Sequence, residues 1–340
     1  MIKYPIPTGY LFVDDYSKGQ LETLSIGDYG KKYNVKANFL GLTHPINGVQ
    51  NRKCSPLSEK WVITLSTQFG CQMKCNFCAC PQVKWAGNAT FCDLNRQFLS
   101  ALLLFPEIKY TERLNVHFAR MGEPIFNGSV FGFARSLRRD KLIIQYSSGV
   151  RMEVIHPVLT TSMPRFSKLE ERILEWCDIK NRTFNGQAGL QLSINSTNES
   201  QRQYMFGGKT ITLKQVARIA EKLPPPISRK YCLNFAYASD FEIDAKKLGE
   251  LFNKDNFMVK ITPIHNNQIC KDNNIETIDG YTSYSAYEGV ENDLLKEGWD
   301  VLVFVPSMDE EDGLVTCGNA VLSGSEVKAE SIINIEGVER

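Results

Sequence analysis

The chain has almost no net charge and no long hydrophobic run. Its 340 residues carry 39 Lys and Arg against 38 Asp and Glu, a formal net charge of +1. That balance excludes a globally basic glove for nucleic acid but leaves room for a local basic patch suited to a small RNA contact. No stretch approaches the roughly 18 uninterrupted apolar residues of a membrane-spanning helix, so no membrane partner is expected. The N-terminus, MIKYPIPTGYLFVDDYS, reaches an acidic pair without an apolar core and cleavage site, so a signal peptide is not expected and a cytoplasmic location is. Internal repeats and low-complexity tracts are also missing. Ten cysteines are too dilute for a disulfide scaffold, and in reducing cytosol they would remain thiols.

What is present is a clustering of those cysteines. Cys71, Cys75, Cys78 and Cys80 fall within ten residues, while the others are scattered at 54, 92, 177, 232, 270 and 317. Residues 1–60 read as a small β-rich appendage, with alternating pieces such as TGYLFVDD, QLETLSIG and NVKANFLGL separated by turn formers. From Trp61 the pattern changes. WVITLSTQ, LNVHFAR, PVLTTS, GLQLSIN, YCLNFAYA and FMVKITP are six strand candidates, and DVLVFVP and GLVTCG form a last pair. Helical periodicity predicts helices at Leu94–Leu104, Val130–Leu137, Lys168–Trp176, Leu213–Lys222 and Lys246–Asn253 between them. Strand–helix alternation implies a parallel sheet, so the expected fold is α/β, an incomplete (β/α)6 TIM-like barrel over 61–325 with a C-terminal tail at 326–340. In such barrels the chemistry sits on loops after the strands' C-terminal ends.

Cys71, Cys75 and Cys78 form C-x3-C-x2-C directly after the first barrel strand, with Phe77 before the third cysteine. Thiolates are natural iron–sulfur ligands, and three ligands on a [4Fe-4S] cubane leave one iron open to S-adenosylmethionine (SAM). A structural zinc knuckle is the bland alternative. Zinc sites usually take four ligands in C-x2-C pairs, and no second pair is evident. Cys80, two residues past Cys78, reads as incidental. Further along, Arg120-MGEP follows the second strand, Ser162 the third, and Ser193 and Asn195 lie at the end of the fourth. Taken singly these are ordinary turn or cap residues; in register behind a cysteine loop they point to ligand binding.

These pieces resemble the radical-SAM superfamily, and their order (QLETLSI, STQFGCQMKCNFC, RMGEPIFN, LTTSMP, LQLSINSTNESQR, KITPIH and VTCGNA) resembles its RlmN/Cfr family of RNA methyltransferases. The resemblance implies a cluster held by Cys71, Cys75 and Cys78, and SAM held by Gly122, Glu123, Ser162, Ser193, Asn195 and His265. It implies a methyl-carrying cysteine at Cys317, a proton-abstracting base at Glu22, and Arg202 near the substrate as a phosphate contact. An RNA or nucleotide substrate and an electron donor such as flavodoxin follow from it. Two departures stand out. Thr64 occupies the place of the family's second catalytic cysteine, which makes Cys54 the candidate substitute. Only seventy residues precede Cys71, which leaves no room for the family's N-terminal accessory domain. The alternative is a radical-SAM enzyme that abstracts hydrogen from a small molecule or peptide without methyl transfer. The basic run Arg135, Arg138, Arg139 and Lys141 reads as a solvated helix face or a phosphate contact.

Overall fold

The computed structural model describes residues 1–28, 54–265, 267–278, 285–306, 310, 313–315 and 318–327. A single sheet of ten strands organises them. Its antiparallel edge is β1 (Ile2–Ile6), β2 (Gly9–Tyr16) and β3 (Gly19–Gly27). β3 pairs antiparallel with β4 (Lys60–Leu65), from which the sheet runs parallel through β7 (Tyr110–Phe118), β8 (Arg151–Thr161), β9 (Gly189–Ser193), β10 (Tyr231–Tyr237), β11 (Phe257–Pro263) and β12 (Val301–Val303). A short hairpin of β5 (Gln68–Phe69) and β6 (Gly87–Asn88) flanks the cysteine loop. The six expected strands are therefore β4 and β7 to β11. The N-terminal β segment extends their sheet rather than standing beside it. Of the expected last pair, DVLVFVP supplies β12; the described residues of GLVTCG form no strand, and Thr316 and Cys317 lie outside the described residues.

The five expected helices are α1 (Phe91–Leu103), α2 (Gly128–Arg139), α4 (Leu169–Asp178), α6 (Leu213–Ala220) and α7 (Ala245–Leu251). Their starts are written in capping chemistry. Thr90 and Asp93 form a reciprocal capping box on α1, as Thr212 and Gln215 do on α6. Asp244 caps α7 by accepting from Lys247 N at 3.0 Å. Four further helices among the described residues escaped the sequence reading: α3 (Lys141–Ser148), α5 (Glu199–Met205), α8 (Gln268–Asp272) and α9 (Ser285–Lys296).

Period-two alternation separates the two faces of the sheet. Trp61, Ile63 and Leu65 of β4 join Leu94, Phe98 and Ala101 of α1 in the main apolar cluster. Val62, on the other face, packs with Leu11, Leu24, Ile26 and Leu314 in a smaller one. Past β4 the inner face turns polar. His117, Thr160, Gln191, Asn234 and Lys260 all line one cavity, so the sheet wraps a hollow lumen whose wall carries a row of polar side chains. No helix among the described residues is long and apolar enough to cross a membrane.

Candidate active site

The cysteine loop leaves β4 through Gly70, whose φ of +73° only glycine adopts without strain; a Cβ there would meet Val83 O at 2.6 Å. Side contacts pin the loop. Asn76 donates its backbone N–H to Met205 O (2.8 Å) and its side-chain amide to Tyr204 O (2.8 Å). Phe77 stacks edge-on against Phe206 at 5.8 Å, and Ala79 donates to Gly318 O at 2.7 Å. The result is that Cys71, Cys75 and Cys78, all partly exposed, line one cavity of about 280 Å³. Gly122, Glu123, Ser162, Ser193, Asn195 and His265 line it too. Among the described residues no three His, Cys, Asp or Glu side chains converge on a single metal ion. A cubane places each ligand on its own iron atom, so three thiols of one loop that share a cavity wall suit it.

Gly122 and Glu123 are held with particular care. Gly122 has φ +100°, and a Cβ would fall 2.6 Å from the Gln68 side chain. Gln68 in turn accepts from Glu123 N at 3.0 Å. The Glu123 carboxylate accepts from Ser162 N (2.8 Å), Ser162 Oγ (2.7 Å) and Ile125 N (3.2 Å). Burial pushes its carboxyl above the ordinary range, with the Ser162 bonds pulling the other way. Asn195 sits at φ +62°, and its Oδ1 accepts from Ala236 N at 3.0 Å, so its carbonyl clamps β9 to β10.

Arg202 does not face a substrate. It is fully buried and absent from the cavity wall. Its guanidinium donates to Ile211 O (2.6 Å), Thr210 Oγ1 (2.9 Å), Ser162 O (3.4 Å) and Ser193 O (3.5 Å). Backbone carbonyls and the Thr210 hydroxyl thus occupy its two Nη groups, and Arg202 fixes the strand ends that carry Ser162 and Ser193 rather than reaching the cavity where a phosphate contact was expected.

Glu22 is likewise committed. It is fully buried beneath the cavity wall, and its Oε2 accepts from Arg120 Nη2 (2.8 Å) and Nε (3.1 Å). Its Oε1 accepts from Leu322 N at 2.7 Å, while Arg120 Nη1 donates to Leu314 O at 2.6 Å. The pair thus fastens the chain on either side of Cys317, which itself lies outside the described residues. Cys54, proposed as a substitute thiol, sits in the main apolar cluster, 2% exposed and not in the cavity wall. The structure does not bring it to the wall that Cys71, Cys75 and Cys78 share. Cys80, set aside in the sequence, does line the cavity. Its thiol is pushed well up by a hydrogen bond with Cys78 and then by burial.

Sequence reasoning missed the lumen. Ser193 pairs with Asn234, and Asn234 with Lys260, across β9, β10 and β11. Ser162 lies one residue beyond the Thr161–Leu192 pair and so enters the same row. Among the described residues, buried Oδ1 of Asn234 and Oγ1 of Thr262 have no hydrogen-bond partner, a sign of a site shaped for polar ligands. The signal was in the strands themselves: LQLS and VKIT put a polar residue at every second position, and LNFA an Asn in the same row, where a packed barrel takes Val, Ile or Leu.

Comparison with known proteins gives this arrangement a class. No family model matches the chain. A radical SAM methyltransferase from Sphaerobacter thermophilus superposes with a TM-score of 0.58 at 15% identity, covering 89% of this chain and 77% of that one. The fold is thus the partial TIM-like barrel of radical-SAM proteins. Among curated proteins, the chain is 25% identical over 208 residues to the probable dual-specificity RNA methyltransferase RlmN of Pseudothermotoga lettingae, covering 59% of this chain and 54% of the relative. It is 23% identical over 271 residues to the RlmN of Sorangium cellulosum, covering 78% and 62%. The chain therefore spans between half and two thirds of the length of these relatives. In sequence the chain is thus similar to curated RlmN proteins, and in fold to a radical SAM methyltransferase.

Proposed function

We propose that the chain is a radical-SAM methyltransferase that carries a methyl group on Cys317 and delivers it to an sp² carbon of an adenine, in RNA or in a smaller nucleotide. The observation that supports this best is that Cys71, Cys75 and Cys78 share the wall of one cavity with Gly122, Glu123, Ser162, Ser193, Asn195 and His265. Cys71, Cys75 and Cys78 would hold a [4Fe-4S] cluster through their thiolates. When bound, that cluster and SAM supply one-electron cleavage of a carbon–sulfur bond, chemistry no side chain performs. The buried Glu123 carboxylate, already oriented by Ser162, suits the ammonium of the methionyl part of SAM. Ser193, Asn195 and His265 contribute hydroxyl, amide and imidazole groups for the rest of that ligand. Glu22 could take a proton from a substrate adduct only if its bond to Arg120 opened. An electron donor such as flavodoxin completes the reading.

A second reading, radical chemistry without methyl transfer, draws support from Thr64 and from Cys54's burial away from the cavity. A threonine hydroxyl forms no disulfide, and a thiol packed in the core cannot approach a substrate. One anaerobic experiment separates the readings. The cluster is reconstituted, SAM and dithionite are added, and small molecules and intact protein are analysed by mass spectrometry. Deoxyadenosine together with a methyl group on Cys317 is the expected result. Deoxyadenosine with Cys317 unmodified would favour the second reading, and no deoxyadenosine would defeat both.

A further inference from the structure

A second pocket lies at the opposite end of the strands from the cysteine loop, and its chemistry is cationic. It has a volume of about 130 Å³ and opens between α2, α3, the start of β8 and the loop before β9. Arg138, Lys141, Val154, His156, Asn185 and Gln187 line it. His156 is 3% exposed, yet its buried Nδ1 has no hydrogen-bond partner among the described residues. Six residues separate His156 from Ser162 along one extended strand, about 20 Å at the usual rise. The pocket is therefore outside the reach of a ligand bound at Glu123.

Behind His156 the positive charge deepens. Arg113 and Lys60 are register neighbours at the start of β7 and β4, and Asn115, two residues after Arg113, is the register neighbour of His156. Arg229 stands just before β10 and donates to Gln187 O at 3.4 Å. Burial first, then Arg113, Arg229 and Lys60, hold the His156 imidazole down to about 4, so it is neutral near pH 7. Arg113 similarly depresses Arg229 after burial. No carboxylate figures among the charges acting on His156. Lys60 does have one partner, Asp28, at 2.9 Å. Of the basic run noted in the sequence, Arg135 pairs with Glu175 and Arg139 with Asp140. Arg138 has no ion-pair partner among the described residues, and Lys141 donates only to Glu153 O, at 2.7 Å.

A fold that gathers like charges around a buried, unpartnered nitrogen is stabilised by a bound anion. We infer that this pocket is a binding site for a phosphate group, with Arg138 and Lys141 at its mouth and His156 as a hydrogen-bond donor at its floor. The volume admits a phosphate with part of its ester group. Two sources share that chemistry, a backbone phosphate of an RNA strand and a free phosphate or phosphomonoester. The inference does not depend on the cluster, on SAM or on the reaction proposed above.

The test uses the full chain as purified. Thermal unfolding is followed against inorganic phosphate, with chloride balancing ionic strength, in wild type, in the double variant R138Q/K141Q and in H156Q. Both charge substitutions lie at the surface end of the pocket, so folding is preserved even where H156Q is impaired. Phosphate is expected to raise the melting temperature of wild type, and its apparent dissociation constant is expected to rise at least tenfold in R138Q/K141Q. Equal stabilisation by chloride, or an unchanged constant in the double variant, overturns the assignment. A 12-nucleotide single-stranded RNA, followed by fluorescence anisotropy, then distinguishes the sources. If the double variant binds it at least tenfold more weakly, with a shallower salt dependence, the phosphate belongs to RNA. RNA binding unchanged while phosphate binding is lost assigns the pocket to a free phosphate or phosphomonoester.

Discussion

Glu123 illustrates how much a single side chain here depends on its neighbours. Three donors from Ser162 and Ile125 orient the carboxylate, and Gly122 lets the backbone pass against Gln68. On the proposed reading Glu123→Gln removes the charge that meets the SAM ammonium while keeping one oxygen for Ser162. SAM affinity of the reconstituted protein, measured by equilibrium binding, should fall at least tenfold; wild-type affinity would remove Glu123 from the ligand site. Glu22 calls for a different measurement, because its partner is internal. Glu22→Gln leaves the Arg120 guanidinium buried without its counter-charge, a loss of about 3–5 kcal/mol by analogy with other broken buried pairs. Urea unfolding reads this directly, and a loss near zero would mean that Arg120 finds another acceptor. These two glutamates mark what a sequence can convey about residues. MGEP announced Glu123 through its neighbours in the chain. The partner of Glu22 lies 98 residues away, so only folding reveals that its carboxylate is already engaged. The inward course of Arg202 is hidden for the same reason: three of its acceptors are backbone carbonyls, which no residue letter encodes.

Elements were legible where their signals are local. α1 and α6 open with a Thr followed three residues later by Asp or Gln, and both begin where those boxes sit. Thr90→Ala should cost about 1 kcal/mol of stability in a chemical-denaturation experiment, because Asp93 N loses the Thr90 hydroxyl as its acceptor while the Asp93 carboxylate still accepts from the N–H of residue 90. A cost below a few tenths of a kcal/mol would show that packing of Leu94 and Phe98 alone starts the helix. Elements without such signals were missed. α3 presents Leu142, Ile143 and Tyr146 to solvent at 79, 66 and 91% exposure, so its apolar residues do not mark a buried stripe. α5 and α8 are shorter than two full turns, too brief for periodicity to register. The antiparallel pairing of β3 on β4 joins segments more than thirty residues apart, and nothing local specifies it.

At the scale of the whole molecule, a cavity lined by cysteines occupies one end of the strands and a cationic pocket the other. The second end makes the protein sensitive to acid. His156 has an ordinary value of 6.5 and is held to about 4 in the folded state, by burial and by Arg113, Arg229 and Lys60, with Arg138 and Lys141 facing the same pocket. Between those values the unfolded chain binds a proton that the folded chain refuses, so this contribution to stability is whole above pH 6.5 and is lost as pH falls toward 4. Between pH 7 and pH 4.5 it amounts to about 2–3 kcal/mol. Glu123 works in the opposite sense, since its raised carboxyl makes the folded state bind a proton more readily than the unfolded chain, and the two effects overlap in a raw pH profile. The comparison of wild type with His156→Gln isolates the histidine. Unfolding free energies from urea titrations at pH 7 and pH 4.5 should show wild type losing more than the variant by that margin. Phosphate held in the pocket would supply the counter-charge that lets His156 accept its proton, so adding it should narrow the difference. Parallel losses in the two proteins, with and without phosphate, would mean that the imidazole is already protonated in the fold and that its surroundings are less positive than the strand register implies.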